Sequence, residues 1–224
     1  MATPYALVSL RRATSTQDEA RARYRDTPVL VVAAGQTAGR GRGGRGWVNA
    51  PRSAAISLAF QPTWPAATWG RLPLVAGLAA RRDLQGAVEL KWPNDLMVGD
   101  RKAGGILVEA SGSLVVVGVG LNLWWPNPPE GMVGVWQDDP GEGAERGVGQ
   151  RWADEFLARI DRAPEEWGRS EYRAACRTLG RPITWDPDGR GVAVDVAEDG
   201  SLVVETPSGI EHLRSGEVRQ VRAV

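Results

Sequence analysis

Lys91 and Lys102 are the only lysines among 27 basic side chains, and they stand eleven positions apart. Lys91 opens KWPNDL (91–96), where a cation, an amide and a carboxylate (Lys91, Asn94, Asp95) fall within five residues. Pro93-Asn94-Asp95 is also ordinary turn chemistry, so this segment alone leaves turn and site both open. Lys102 lies in DRKAGGILVE (100–109), a glycine-bearing apolar segment, and Asn122 interrupts the apolar run GVGLNL (118–123). One carboxylate, two amides and two ammoniums form the inventory that ATP-dependent activation of an anion requires, because positive groups must screen two anions while holding them in line.

A second cluster is GRGRGGRG (39–46), which carries Arg40, Arg42 and Arg45. Three readings compete. Arginine–glycine tracts that bind RNA sit in low-complexity context, whereas this one is a short insert between an apolar strand and Trp47. A dinucleotide fingerprint must open a helix, and WVNAPRSAAISLAF reads as loop and strand instead. A mobile phosphate-binding loop fits best, with glycine N–H groups and arginines directed at oxygens. Between Thr27 and Arg82 there is no Asp or Glu but there are seven arginines, so the surroundings of the loop are acid-free.

The whole chain of 224 residues nevertheless balances 27 basic against 27 acidic side chains. Zero net charge argues against general binding to nucleic acid or to a polybasic-seeking membrane surface. A single cysteine, Cys176, and a single histidine, His212, exclude a disulfide framework and a Cys/His zinc site. Cys176 follows YRAA in a helical pattern and reads as packing, and His212 has no nucleophile-elbow serine to serve. Without a long apolar span or signal peptide, the chain reads as cytoplasmic.

The elements that must position these residues can be read from period and punctuation. TSTQDEARARYR (14–25) is a capped short helix. PVLVVAA (28–34) and SAAISLAF (53–60) are strands flanking the glycine–arginine loop, and Trp69 to Gln85 is a helix with Pro73 in its first turn. VELKW (88–92), AGGILVEA (103–110) and SLVVVGVGLNL (113–123) complete a central sheet. Residues 124–147 have no period and form a long loop. Gly149 to Leu179 is helical, with Pro164 starting a second helix. ITWDP, GVAVDVA, LVVETP and VRQVRAV are short strands, with Asp199-Gly200 as a turn. The predicted fold class is therefore α/β (α+β): a mixed central sheet flanked by helices in residues 1–177, then a small β unit in 178–224.

STQDEA (15–20), GQTAGRGRGGRGW (35–47), KWPNDL, DRKAGGILVEA (100–110) and VGVGLNL (117–123), in this order and spacing, resemble the biotin protein ligases. SGEVRQVR (215–222) resembles the end of that family's small C-terminal SH3-like β-barrel. Gln17 departs from the Asn that more often follows Ser-Thr. The resemblance implies that biotin and MgATP give biotinyl-5′-AMP and pyrophosphate, after which a lysine of a biotin carboxyl carrier protein, as in acetyl-CoA carboxylase, takes the biotinyl group. It implies biotin contacts at Ser15, Thr16, Gln17, Gln36, Gly39, Arg40, Gly41, Arg42, Lys102 and Gly105. It assigns Arg42, Gly44, Arg45, Trp47, Asn94, Asp95, Lys102 and Asn122 to ATP and the adenylate, Asp95 also to Mg²⁺, and catalysis to Lys102, Arg42, Lys91 and Asp95. The rival within the architecture is a lipoate or octanoyl ligase or transferase. The rival from another class is a nucleic-acid-binding protein or biotin-responsive repressor, but only fourteen residues precede Ser15, too few for a helix-turn-helix. The expectation is a ligase without repressor activity. Relatives include monomers and dimers, so a homodimer is compatible with the pattern.

Overall fold

The computed structural model describes residues 4–214 and 218–220. Its main sheet has seven strands: β1 (Ala6–Leu10), β2 (Val29–Ala33), β3 (Arg52–Phe60), β4 (Glu89–Lys91), β5 (Asp95–Val98), β6 (Arg101–Ser111) and β7 (Leu114–Trp124). They lie in the order β1-β2-β3-β7-β6-β5-β4. Only β1 and β2 run parallel; the other neighbours are antiparallel, so the sheet is mixed as expected.

The unbroken apolar run of β2 follows from burial on both faces. Leu30 and Val32 point into the principal core, whereas Val29 and Val31 pack with Ala20 and Val116 on the opposite side. Helix α1 (Thr16–Arg23) supplies Ala20 and covers that opposite side. Helices α2 (Leu72–Asp83) and α3 (Ala144–Ile160) contribute Leu74, Leu78, Trp152 and Phe156 to the principal core. Trp152 stacks on Phe156 with ring centroids 5.3 Å apart.

Several boundaries differ from expectation. Residues Ala66–Arg71 form a 3₁₀ turn, so α2 starts at Leu72, with Pro73 in its first turn. The proline-initiated second helix after α3 is only a 3₁₀ turn, Pro164–Glu166; the true helix α4 (Arg169–Ala175) starts after Gly168, whose φ of 94° suits glycine. β1 and β5 are strands that the pattern did not reveal: β1 is a half-exposed sheet edge, and β5 hides behind a polar turn.

Of the aperiodic segment 124–147, residues 124–137 form an ordered strap and the last four already belong to α3. Lys102 N donates to Gly131 O at 2.8 Å, Val133 N to Lys102 O at 3.0 Å, and Val135 N to Asn122 O at 2.8 Å. These bonds tie it to the ends of β6 and β7.

A second sheet comprises β8 (Pro182–Trp185), β9 (Gly189–Val196), β10 (Leu202–Thr206), β11 (Gly209–Leu213) and β12 (Val218–Gln220), in the antiparallel order β11-β10-β9-β8-β12. Among the described residues β11 and β12 are not paired with each other, so the expected barrel is an open sheet. The 215–222 motif lies within the described residues only at β12. The Asp199-Gly200 turn forms as predicted, with φ 87° at Gly200. Ile183, Val196 and Leu202 join the principal core. Trp92 fastens the two sheets: its backbone N donates to Thr178 Oγ1 and its Nε1 to Gly200 O, each at 3.0 Å.

Candidate active site

Ser15 caps α1 from an extended conformation, its side chain accepting from Asp18 N at 3.4 Å. That cap turns Thr16 and Gln17 inward, leaving them 2% and 5% exposed. Ser57 Oγ donates to Thr16 Oγ1 at 2.8 Å, and Thr16 donates to Gln36 Oε1 from its hydroxyl (3.0 Å) and its backbone N (2.7 Å). Gln36 is itself held by Asn49, which accepts from its N at 3.0 Å and donates to its O at 2.6 Å. Gln17 Nε2 donates to Leu107 O at 3.1 Å, which fixes the amide's orientation. Gln17 Oε1 is then buried with no partner. A buried acceptor left this way costs about 1–3 kcal/mol until a donor reaches it.

At the other end, Lys102 Nζ lies 2.5 Å from Asp95 Oδ1, and Lys91 Nζ lies 4.0 Å from Asp95 Oδ2. A register shift between β5 and β6 leaves Ala103 without a partner, since Leu96 pairs with Gly104 but Met97 with Lys102. In a regular strand, residues three apart face opposite ways; the bulge swings Lys102 to the side of Gly105. A Cβ at Gly105 would lie 3.4 Å from Lys102 Nζ. Asn94 donates to Ile106 O at 2.9 Å and accepts from Arg42 at 3.2 Å. Asn122 Oδ1 is another buried acceptor with no partner.

Between these ends the glycine–arginine loop folds as a small hairpin: Gly41 N donates to Arg45 O at 2.7 Å and Trp47 N to Gly39 O at 2.8 Å. Its tip needs glycine, with φ 64° at Gly43 and 74° at Gly44. The Trp47 ring lies on Gly120, where a Cβ would come within 2.8 Å of it. Arg40 forks onto Asp18 at 2.7 and 2.8 Å and reaches Glu109 at 3.4 Å. The Arg40 hydrogen bonds hold the Asp18 carboxyl below its ordinary range, and those carboxylates push the guanidinium up.

The two ends and the hairpin between them enclose one cavity of about 400 Å³, with Asp18, Asn49 and Glu109 behind its wall. The structure brings every sequence-predicted residue to its wall except Ser15, Gly39 and Gly44. Ser15 caps the helix, Gly39 sits where a Cβ would meet Gln36 Nε2 at 2.7 Å, and Gly44 belongs to the hairpin tip. Sequence reasoning missed Ser57, Leu107 and Met132, which also line the cavity, and Asn49 behind it. Ser57 carried a signal, a hydroxyl inside a buried apolar strand; Met132 lies in an aperiodic segment and carried none.

Neither Cys176 nor Ser201 offers a nucleophile. Burial pushes the Cys176 thiol up, which disfavours the thiolate. Ser201 donates to Asp199 at 2.6 Å with His212 Nδ1 at 3.2 Å, so its proton is directed to the acid rather than to the imidazole.

Comparison with known proteins agrees with this architecture. Residues 9–122 match the biotin/lipoate A/B protein ligase family and residues 178–219 the biotin protein ligase C-terminal domain. A biotin–[acetyl-CoA-carboxylase] ligase of Mycobacterium tuberculosis is 31% identical over 87% of this chain and 79% of its own. One from Paracoccus denitrificans is 31% identical over 84% and 88%. The structure of Aquifex aeolicus biotin protein ligase in complex with biotin and ATP superposes with a TM-score of 0.82 at 25% identity, covering 97% of this chain and 99% of that one. With residues 9–122, which hold most of the cavity-forming sheet, matching its model, the chain belongs to the biotin/lipoate A/B protein ligase family.

Proposed function

We propose that the chain is an ATP-dependent biotin–protein ligase, with residues 1–177 as its catalytic unit and 178–224 as a small β unit. The observation that carries biotin over lipoate is the buried, unpartnered Gln17 Oε1 beside Thr16 and Gln36. Biotin's ureido ring brings N–H donors to such an acceptor, whereas a dithiolane brings none. The carboxyl tail then points toward Lys102.

In the first step a biotin carboxylate oxygen bonds to the α-phosphorus of ATP and the bond to pyrophosphate breaks. Lys102, Lys91, Arg42 and Arg45 offset the repulsion between the two anions. Trp47, Asn94 and Asn122 belong to the adenylate side. Among the described residues no three metal-ligating side chains gather. The donors present, Asp95 and the unpartnered Asn122 Oδ1, fit a magnesium that arrives on the nucleotide, because this ion takes one or two carboxylates plus phosphate oxygens. Held there, a magnesium would offset phosphate charge. In the second step a neutral lysine amine bonds to the acyl carbon, AMP leaves and the amine loses a proton; Asp95 orients that amine or takes the proton. The acceptor is the biotin carboxyl carrier protein of acetyl-CoA carboxylase or a similar carrier. None of the described helices is long and apolar enough to cross a membrane, and we place the reaction in the cytoplasm with its ATP.

Titration with biotin and with lipoate, each followed by ATP-dependent pyrophosphate release, tests the reading. Biotin alone should support release. A lipoate response would move the chain to the other branch of its family, and silence with both would overturn the adenylation chemistry.

A further inference from the structure

Arg40 and Arg42 are neighbours on one hairpin, yet their guanidiniums reach different partners. Arg42 reaches Asn94 at 3.2 Å, within the cavity wall. Arg40 makes a two-pronged bond with Asp18 on α1 and a longer one with Glu109 on β6. Arg21 completes the cluster, donating to Glu109 at 2.8 Å and to Asp18 at 3.4 Å. Loop, helix and strand are thus joined by four alternating charges. The bonds within the hairpin, such as Gly41 N to Arg45 O, tie it only to itself.

We propose that Asp18 and Glu109 are positioning residues: by gripping Arg40 they hold the glycine–arginine hairpin over the cavity and set how fast the activated intermediate escapes. This rests on the ligase reading for the identity of the intermediate but not for the grip itself. Asp18 directly follows Gln17, so the helical turn that receives the ligand's ring also carries the anchor of the lid. Asp18 retains 53% of its side-chain exposure and Arg40 36%, so the grip is salt-sensitive, and neither Asp18 nor Glu109 lines the cavity.

Asp18→Asn, Glu109→Gln and Asp18→Glu test the assignment in the full chain. In ligand-free protein Asp18→Asn should speed tryptic cleavage after Arg42 and Arg45, and with ligand it should speed escape of biotinyl-adenylate by about three- to tenfold. Glu109→Gln should do the same more weakly, and Asp18→Glu should restore retention. The KM for biotin should stay within about twofold, because removing a loop anchor leaves the ring's own hydrogen bonds in place. Raising salt from about 0.05 to 0.5 M should speed escape from the wild type but not from Asp18→Asn. Unchanged cleavage and escape in folded Asp18→Asn would overturn the grip, and a KM rise matching the escape would make Asp18 a ligand-binding residue instead. Wild-type protein that forms no adenylate, while its loop cleavage still depends on Asp18, would overturn the ligase reading and leave the grip standing.

Discussion

At the Gln17 end of the cavity Thr16, Gln17 and Ser57 are neutral, buried and mounted on α1 and β3, with Ser57 at 0% and Thr16 at 2% exposure. At the Lys102 end they are charged, stand beside a bulge or on a loop, and remain partly open to solvent, with the Lys102 side chain at 36%. The difference teaches how one cavity divides its work. Neutral recognition needs fixed angles, which a capped helix and a pleated strand supply before any ligand arrives. Screening of developing charge needs cations that can exchange one anion for another, and Lys102 on Asp95 is already paired with such a partner. On the proposed reading, the first end sets which molecule enters and the second sets what happens to it.

Separating the two ends by substitution is the sharpest way to break this division. Lys102→Met should lower biotin-dependent pyrophosphate release by about 100-fold or more, with a much smaller loss of biotin affinity by titration. An equal loss of both would mean that the ends do not act apart. Gln17→Leu should do the reverse, raising the KM for biotin by about 10- to 100-fold at nearly constant kcat, because a buried hydrogen-bonding site is replaced by an apolar one. A kcat defect of that size would place Gln17 in the chemistry. Arg42→Gly removes the tie to Asn94 and should raise escape of the adenylate about tenfold in a chase experiment, with unchanged circular dichroism. Unchanged escape would remove the hairpin from the role of cover.

The smallest expected effect concerns the link between Trp92 and Thr178, just before the second sheet. Thr178→Val leaves the buried Trp92 N–H without its acceptor at 3.0 Å, beside Lys91 and two residues from Asn94. Stability should fall by about 1–3 kcal/mol in urea unfolding. The turnover number should fall severalfold while the biotin KM holds, if this link steadies only the charged end. A change in KM instead would mean that the two ends share this support.

The motifs were legible because their polar residues interrupt apolar runs. Lys102 and Asn122 stand out against strands that otherwise bury Val, Leu and Ile, and the capping pattern at Ser15 announced α1. β2 and β3 were legible from length and apolarity alone. β5 was not, since four residues after a Pro-Asn turn carry too little pattern to separate strand from loop. Nor could periodicity show that the 124–137 segment is strapped to Lys102 and Asn122, since its hydrogen bonds are made by backbone atoms, which every residue possesses.

Residue types and their spacing by themselves determined the chemistry on offer: an acid-free stretch of arginines and glycines, two lysines, one useful carboxylate and two amides. They also determined most of the central sheet, because burial on one or both faces writes a period into the chain. Only the tertiary structure decided which of those groups meet. It turned Lys102 toward Gly105 through a one-residue bulge, and it committed Arg40 to Asp18 and Glu109, 22 and 69 positions away. It also left Gln17 Oε1 buried without a partner. The physical reason is that spacing reports what a residue is and which face of its own element it occupies. A partner, a bulge or an unmet hydrogen bond is a property of two elements brought together.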